Sequence, residues 1–230
     1  MGITLEKQNT TYINQEKEKV FTLSLLEWGK NNTRHFPWRE NNYTLYAKIV
    51  AEVFLQKTNS DQVAFFMPIF LTKFPNAEKI LASQLVDIEQ ALRPLGVFRR
   101  RAVTLEVLAK LLVTENPVKV IEWEKLLLRV PGIGDYTRNA FLINGFNVKR
   151  IAVDTNFIRL VNRFFGISLK RDPRKDKNVP KIAKKVFPSN KTRDFLFSLL
   201  DYCSEICKSK KPECQKCILK ELCNYFKLQE

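Results

Sequence analysis

Cys207, Cys214, Cys217 and Cys223 follow the spacing C-x6-C-x2-C-x5-C near the end of the chain. Thiols this close constrain the fold, because the backbone around them must converge on one centre. Four thiolates are the complete ligand set of one iron–sulfur cluster. Zinc in a four-cysteine site is the chemical alternative. A fifth cysteine, Cys203, makes the number odd, which fits a disulfide framework poorly. It precedes Cys207 by four positions, on what reads as the same helix, and is expected to be a small buried residue.

The rest of the chain reads as helix. Val20, Leu23 and Trp28 mark an early amphipathic segment, and Ile49, Val53, Phe54 and Leu55 mark another. Leu105, Leu108, Leu111 and Leu112 repeat at helical spacing, as do Phe157, Leu160, Val161 and Phe164, and Phe195, Leu199 and Leu200. Alternating strand patterns are missing, and seven glycines are too few for a hairpin-rich β fold. Breaks fall at Phe36-Pro37-Trp38, Phe74-Pro75-Asn76, Val130-Pro131-Gly132 and Phe187-Pro188-Ser189. Lys170 to Lys177 is densely charged and reads as an exposed loop.

With 230 residues, 45% of them hydrophobic, the chain can bury the core of one large domain or two small ones. No run approaches the roughly 18 apolar residues of a membrane span. Met1 to Lys19 lacks the apolar centre of a signal peptide. The expectation is a soluble cytoplasmic protein, nucleoid-associated in a prokaryote, with no membrane partner and acting as a monomer. The formal net charge of +15 calls for a polyanion, most commonly nucleic acid.

Leu126 to Thr137 joins two helical stretches through Val130-Pro131-Gly132-Ile133-Gly134. Gly132 and Gly134 can take backbone angles closed to other residues. Their amides, and those opening the next helix, can then face a phosphate. This is a helix–hairpin–helix pattern, suited to holding DNA without reading its sequence; an ordinary tight helix–helix turn is the alternative. Tyr136 follows Gly134 by two positions, at the start of the second helix. Eighteen residues further on, an apolar run leads into Asp154, a natural N-cap for the helical period that begins there.

The hairpin, Asp154 and the cysteine spacing together resemble the helix–hairpin–helix DNA glycosylase superfamily, in its endonuclease III and adenine glycosylase group. The resemblance runs from about Phe21 to Cys223. Phe36-Pro37-Trp38-Arg39 resembles the group's N-terminal proline–tryptophan motif. Ala51 to Thr58 resembles its helix bearing a glutamate and a DNA-inserting residue. The resemblance implies an all-α fold of two helical lobes with a DNA-binding cleft. Residues 34–146 form the helical barrel lobe with the hairpin; residues 14–33 and 147–230 form the cluster lobe. Cys207, Cys214, Cys217 and Cys223 are then ligands of a [4Fe-4S] cluster, and Lys208, Lys210, Lys211 and Lys216 in its loop face phosphates.

Endonuclease III-type enzymes have a lysine two positions after the second hairpin glycine, where this chain has Tyr136. No amine stands there to form a Schiff base, so lysine-dependent lyase chemistry is disfavoured. Adenine glycosylases usually have a small residue there and an added C-terminal domain, for which the end soon after Cys223 leaves no room. Tyrosine resembles the thymine/uracil mismatch glycosylases, as do Val153 to Arg159 and Arg193-Asp194-Phe195. Gln56-Lys57 departs from the basic pair expected there. The implied activity is excision of thymine or uracil mispaired with guanine, repairing deaminated 5-methylcytosine or cytosine. An adenine glycosylase and a noncatalytic DNA-binding protein on the same scaffold are the alternatives.

The implied partner is double-stranded DNA containing a mismatch, and the target base must leave the stack before it can react. Asp154, Tyr136 and Glu52 are the expected catalytic residues. Cap hydrogen bonds are expected to favour ionised Asp154, which stabilises an oxocarbenium-like sugar or activates water. Glu52 is expected to bond the flipped base or a water, its alternative being a surface carboxylate. Tyr136 borders the base. Gln56, Val130, Gly132, Gly134, Phe98 and Arg99 are the expected DNA-binding residues. Gln56 fills the vacated space, unless it is merely a solvent-facing helix residue, and the Gly96 to Arg99 segment is a second wedge.

Overall fold

The computed structural model describes residues 15–167 and 176–229. Most of the charged stretch at 170–177, and the N-terminal residues 1–14, lie outside them. The described residues contain helices, short 3-10 turns and no strand. They form two compact units.

The first unit comprises residues 34–152 and 189–196. A 3-10 turn at Pro37–Arg39 buries Trp38, stacked on Phe36 with ring centroids 4.8 Å apart. Helix α2, Leu45–Leu55, buries every residue from Ala47 to Phe54. A helix buried on all faces belongs in the middle of a core, and here it takes Lys48 and Glu52 in with it. Around it come α3 (Ser60–Lys73), α4 (Ala77–Leu81), α5 (Leu85–Leu92), α6 (Phe98–Glu115), α7 (Val120–Leu128) and α8 (Asp135–Phe146). Phe54, Phe66, Phe70 and Phe74 pack ring to ring in this core, as do Trp123 and Phe141. Asn59 and Asn76 cap α3 and α4, accepting from the backbone N–H groups of Gln62 and Lys79.

This unit extends beyond the expected 34–146. Asn139 donates to the Ile151 carbonyl at 2.8 Å, and Arg150 pairs with Glu124 at 2.8 Å, fastening residues 147–152 to α7 and α8. Arg193 bonds the Asn41 side chain at 3.2 Å.

The second unit holds the described residues of 15–33, 153–188 and 197–229. It contains α1 (Gln15–Asn32), α9 (Thr155–Phe165), α10 (Asn178–Val186), the later part of α11 (Thr192–Glu205) and α12 (Asn224–Lys227). The buried face of α1 is Phe21, Leu25 and Gly29, whereas Leu23 is exposed. Glu18 is buried on that face as well, and Gly29 lies so near Ser198 that no Cβ fits there. Helix α9 buries Phe157, Ile158, Leu160, Val161, Phe164 and Phe165 and stops at Gly166, whose φ of +67° suits glycine.

Candidate active site

In the first unit the hairpin between α7 and α8 is a tight turn closed by Ile133 N–H donating to the Val130 carbonyl at 3.2 Å. Pro131 and Gly132 occupy its centre, and Gly132 has φ +86°, as the third position of a type II turn requires. Thr104 of α6 supports the turn from below, its hydroxyl 2.8 Å from the Pro131 carbonyl. A Cβ on Gly132 would stand 2.7 Å from that same hydroxyl. Both angle and space therefore demand glycine here.

Gly134 differs from its expectation. Its backbone is extended, with φ −89° and ψ −179°, which any residue adopts. A Cβ there would meet nothing within 4 Å. Gly134 is the N-cap of α8 and makes no side-chain cap bond. Val130 differs as well: its side chain is 3% exposed, and its N–H and carbonyl both serve the turn. It anchors the hairpin in the core and has no side chain to offer DNA.

Gln56 follows the end of α2, and its side-chain amide donates to the Gly132 carbonyl at 3.0 Å and to Thr137 Oγ1 at 3.3 Å. It is not a solvent-facing residue; it ties α2 to the hairpin. Arg99, Arg100, Val103, Thr104, Pro131 and Gly132 line one concavity beside the turn. Phe98, half-buried at the start of α6, has the guanidinium groups of Arg93 and Arg99 within 5.6 Å and 5.7 Å of its ring centre. Tyr136 is the second residue of α8 and half-buried.

Glu52 is 8% exposed, which removes the surface alternative. Burial pushes its carboxyl up to about 8, against the weaker opposing charge of Arg39. At neutral pH it mostly keeps its proton and can act as a donor.

Asp154 lies in the second unit, half-buried as the N-cap of α9. Its Oδ1 accepts from the Phe157 N–H at 2.8 Å and its Oδ2 from the Asn156 amide at 2.6 Å. These bonds and Arg159 favour the charged form, yet burial is the largest influence and raises the carboxyl above its usual value. The cap bonds favour the anion as expected, and desolvation outweighs them.

The four spaced cysteines also lie in this unit and line one cavity with Leu160, Arg163, Phe164, Leu219 and Tyr225. Among the described residues no three such side chains gather closely enough for a single metal ion. Four thiols lining one space are the donor set that an iron–sulfur cluster or a zinc ion takes. Burial, and the neighbouring thiols, raise Cys214 and Cys217 above the usual thiol value. The Tyr202 hydroxyl lies 2.9 Å from Cys217 Sγ, and Arg163 donates to Cys207 Sγ at 3.4 Å.

Cys203 is 2% exposed on α11, which ends at Glu205, so Cys207 lies just past the helix rather than on it. Glu213 holds Lys208 at 3.1 Å and Lys216 at 3.9 Å, while Lys210 and Lys211 are exposed.

Sequence reasoning missed Thr104, Arg101 and Lys48. Arg101 and Thr104 stand among Ala102, Leu105 and Leu108 on the apolar stripe of α6, a polar interruption that could have drawn notice. Lys48 is 3% exposed and reaches Asn144 Oδ1 at 3.4 Å, while Asn144 donates to the Trp38 carbonyl at 2.9 Å.

Comparison with known proteins shows the family of this helical chain. The model of the HhH-GPD superfamily base excision DNA repair protein matches residues 50–189, and the chain belongs to that superfamily. It is 32% identical to the thymine/uracil-DNA glycosylase of Methanothermobacter thermautotrophicus, over 92% of this chain and 95% of that one. A solved structure of a thermostable thymine-DNA glycosylase matches with TM-score 0.84 at 31% identity, covering 93% of this chain and 98% of that one. A non-covalent endonuclease III–DNA complex shares the fold with TM-score 0.80 at 19% identity, over 94% and 98%.

Proposed function

We propose that this protein is a monofunctional DNA glycosylase that hydrolyses the N-glycosidic bond of thymine or uracil mispaired with guanine in double-stranded DNA. The observation that carries this reading is the 32% identity to a thymine/uracil-DNA glycosylase across nearly the whole of both chains. Chemistry at the site agrees with it. Protonated Glu52 donates to the departing base as the bond electrons leave with it. Ionised Asp154 stabilises the positive charge that develops on the sugar, and takes the proton of the water that adds there. Tyr136 borders the base and offers no amine, so the sugar is released without a Schiff base. Gly132, Gly134 and the first amides of α8 grip a phosphate, with Arg99 beside them.

Cys207, Cys214, Cys217 and Cys223 fit a [4Fe-4S] cluster, which when bound supplies a structural cross-link and a cationic centre for four thiolates. Purified protein should then absorb at roughly 400 nm, where zinc is silent.

The deciding experiment is a panel of duplexes carrying T·G, U·G and A·8-oxoguanine. Base release from T·G and U·G is expected, without strand cleavage. Fast release from A·8-oxoguanine alone would replace this reading with adenine excision, and tight binding without release from any duplex would make the protein a noncatalytic binder.

A further inference from the structure

Two turns of the first unit hold backbone angles that side chains ordinarily avoid. After α2, Lys57 has φ +60°; before α6, Gly96 has φ +68° and Val97 φ +50°. For a β-branched residue such as valine this is an outlier. Burial does not compensate, since Val97 is 48% exposed and Lys57 is exposed. Such angles persist only where the surroundings over-determine them, and they cluster at functional sites.

One side chain over-determines both turns. Arg101, in the second turn of α6, is 3% exposed. Its Nη1 donates to the carbonyls of Leu95 at 2.7 Å and Gly96 at 2.6 Å. Its Nη2 donates to the Phe54 carbonyl at 2.9 Å, to Thr58 Oγ1 at 2.6 Å and to the Gln56 carbonyl. The Thr58 hydroxyl lies 3.4 Å from the Leu95 carbonyl, closing the link between the turns. Among the described residues no carboxylate joins this set, and Arg101 Nε has no partner. Burying a guanidinium without a counter-charge is costly, and hydrogen bonds to acceptors on both turns offset that cost. The two turns it joins carry exposed Lys57, Val97 and Arg99, the mixture of apolar tip and basic flank that suits insertion into a base step.

We propose that Arg101 is a positioning residue, which holds the Gln56–Lys57 and Gly96–Val97 turns as one preformed edge so that the duplex opens against it without reorganisation. Arg101 touches neither base nor sugar; it acts through the two turns. The inference rests on the glycosylase reading, and it assigns to this chain a device for the base-extrusion step. Lysine retains the charge at this position but cannot span acceptors on two turns at once.

The test uses Arg101→Lys and the milder Thr58→Val in the full chain. Three quantities are measured: single-turnover uracil release from a U·G duplex, the fluorescence rise of 2-aminopurine placed beside the uracil, and Kd for an undamaged duplex. For Arg101→Lys, release should fall about 100-fold, the size expected of a misplacement of about 1 Å. The fluorescence rise should be lost, while Kd for undamaged DNA stays within about threefold and the helical circular dichroism is unchanged. Thr58→Val should show the same split at about tenfold. Release within threefold of wild type in a folded Arg101→Lys protein overturns the proposal. So does a parallel loss of release and undamaged-duplex affinity, which is what general loosening would produce. If Arg101→Lys does not fold, Thr58→Val decides by the same two criteria. A wild-type chain that releases neither thymine nor uracil defeats the glycosylase reading instead, and the fluorescence difference between wild type and variant still decides the role of Arg101.

Discussion

Glu52 and Asp154 are both carboxylates pushed toward their protonated forms, one in each unit, but their surroundings are built differently. Glu52 stands inside α2, a helix buried on every side, and only the charge of Arg39 opposes desolvation. Asp154 stands at a helix N-terminus, where each oxygen receives a hydrogen bond and Arg159 adds positive charge. Burial acts on both groups, but only at Asp154 are there bonds that specifically favour the anion. Two carboxyls in contrasting environments can divide acid and anion roles at one pH. Under the proposed function, Glu52 would serve as the proton donor and Asp154 as the group that holds negative charge against a cationic sugar.

The sharpest way to break this comparison is Asp154→Asn. Asparagine caps a helix about as well as aspartate, so stability should change by less than about 1 kcal/mol. If Asp154 supplies the charge opposite the sugar, base release should nevertheless fall about 1,000-fold. A variant that melts normally and still excises uracil at the wild-type rate would reduce Asp154 to a cap.

Glu52→Gln removes the other member of the pair. Glutamine keeps the shape but has no proton to transfer, and single-turnover release should fall about 100-fold at pH 7. The pH dependence is the more telling readout. If protonated Glu52 is required, wild-type activity declines as pH rises through about 8, and the residual activity of Glu52→Gln is flat over that range. An unchanged alkaline limb in the variant would assign the ionisation to another group.

The two sites were not equally readable beforehand. Asp154 as a cap, and the sharp bend at Pro131-Gly132, are local matters: a short polar side chain before an apolar period, and a backbone angle that glycine supplies. Such features depend on neighbours within a few residues, which the sequence displays. Glu52 looked as much like a surface carboxylate as a site residue, because its burial is set by helices distant in sequence packing around all faces of α2. Arg101 was overlooked for the same reason. Its acceptors at Phe54, Gln56 and Thr58 lie more than forty positions earlier, and nothing in the spacing of α6 announces them. At Gly134 the motif was legible, but neither the backbone angle nor the space around it requires glycine.

The smallest expected effect lies in stability, and it tests the physical origin of the difference between the two acids. The Glu52 carboxyl rises from 4.5 to about 8 on folding. Between those values the folded chain keeps a proton that the unfolded chain has released, so stability falls as pH rises across that window and levels off above it. The total is about 5 kcal/mol at most. Glu52→Gln should therefore be more stable than wild type at pH 8.5 and indistinguishable from it at pH 4, as followed by urea unfolding. Asp154, also raised, contributes a fall of the same sign that begins near its ordinary 3.8. Its cap bonds and Arg159 oppose burial, so Asp154→Asn should flatten the pH curve less than Glu52→Gln does. If Asp154→Asn flattened it more, the cap bonds would not be protecting the anion, and the division of roles between the two carboxyls would have to be exchanged.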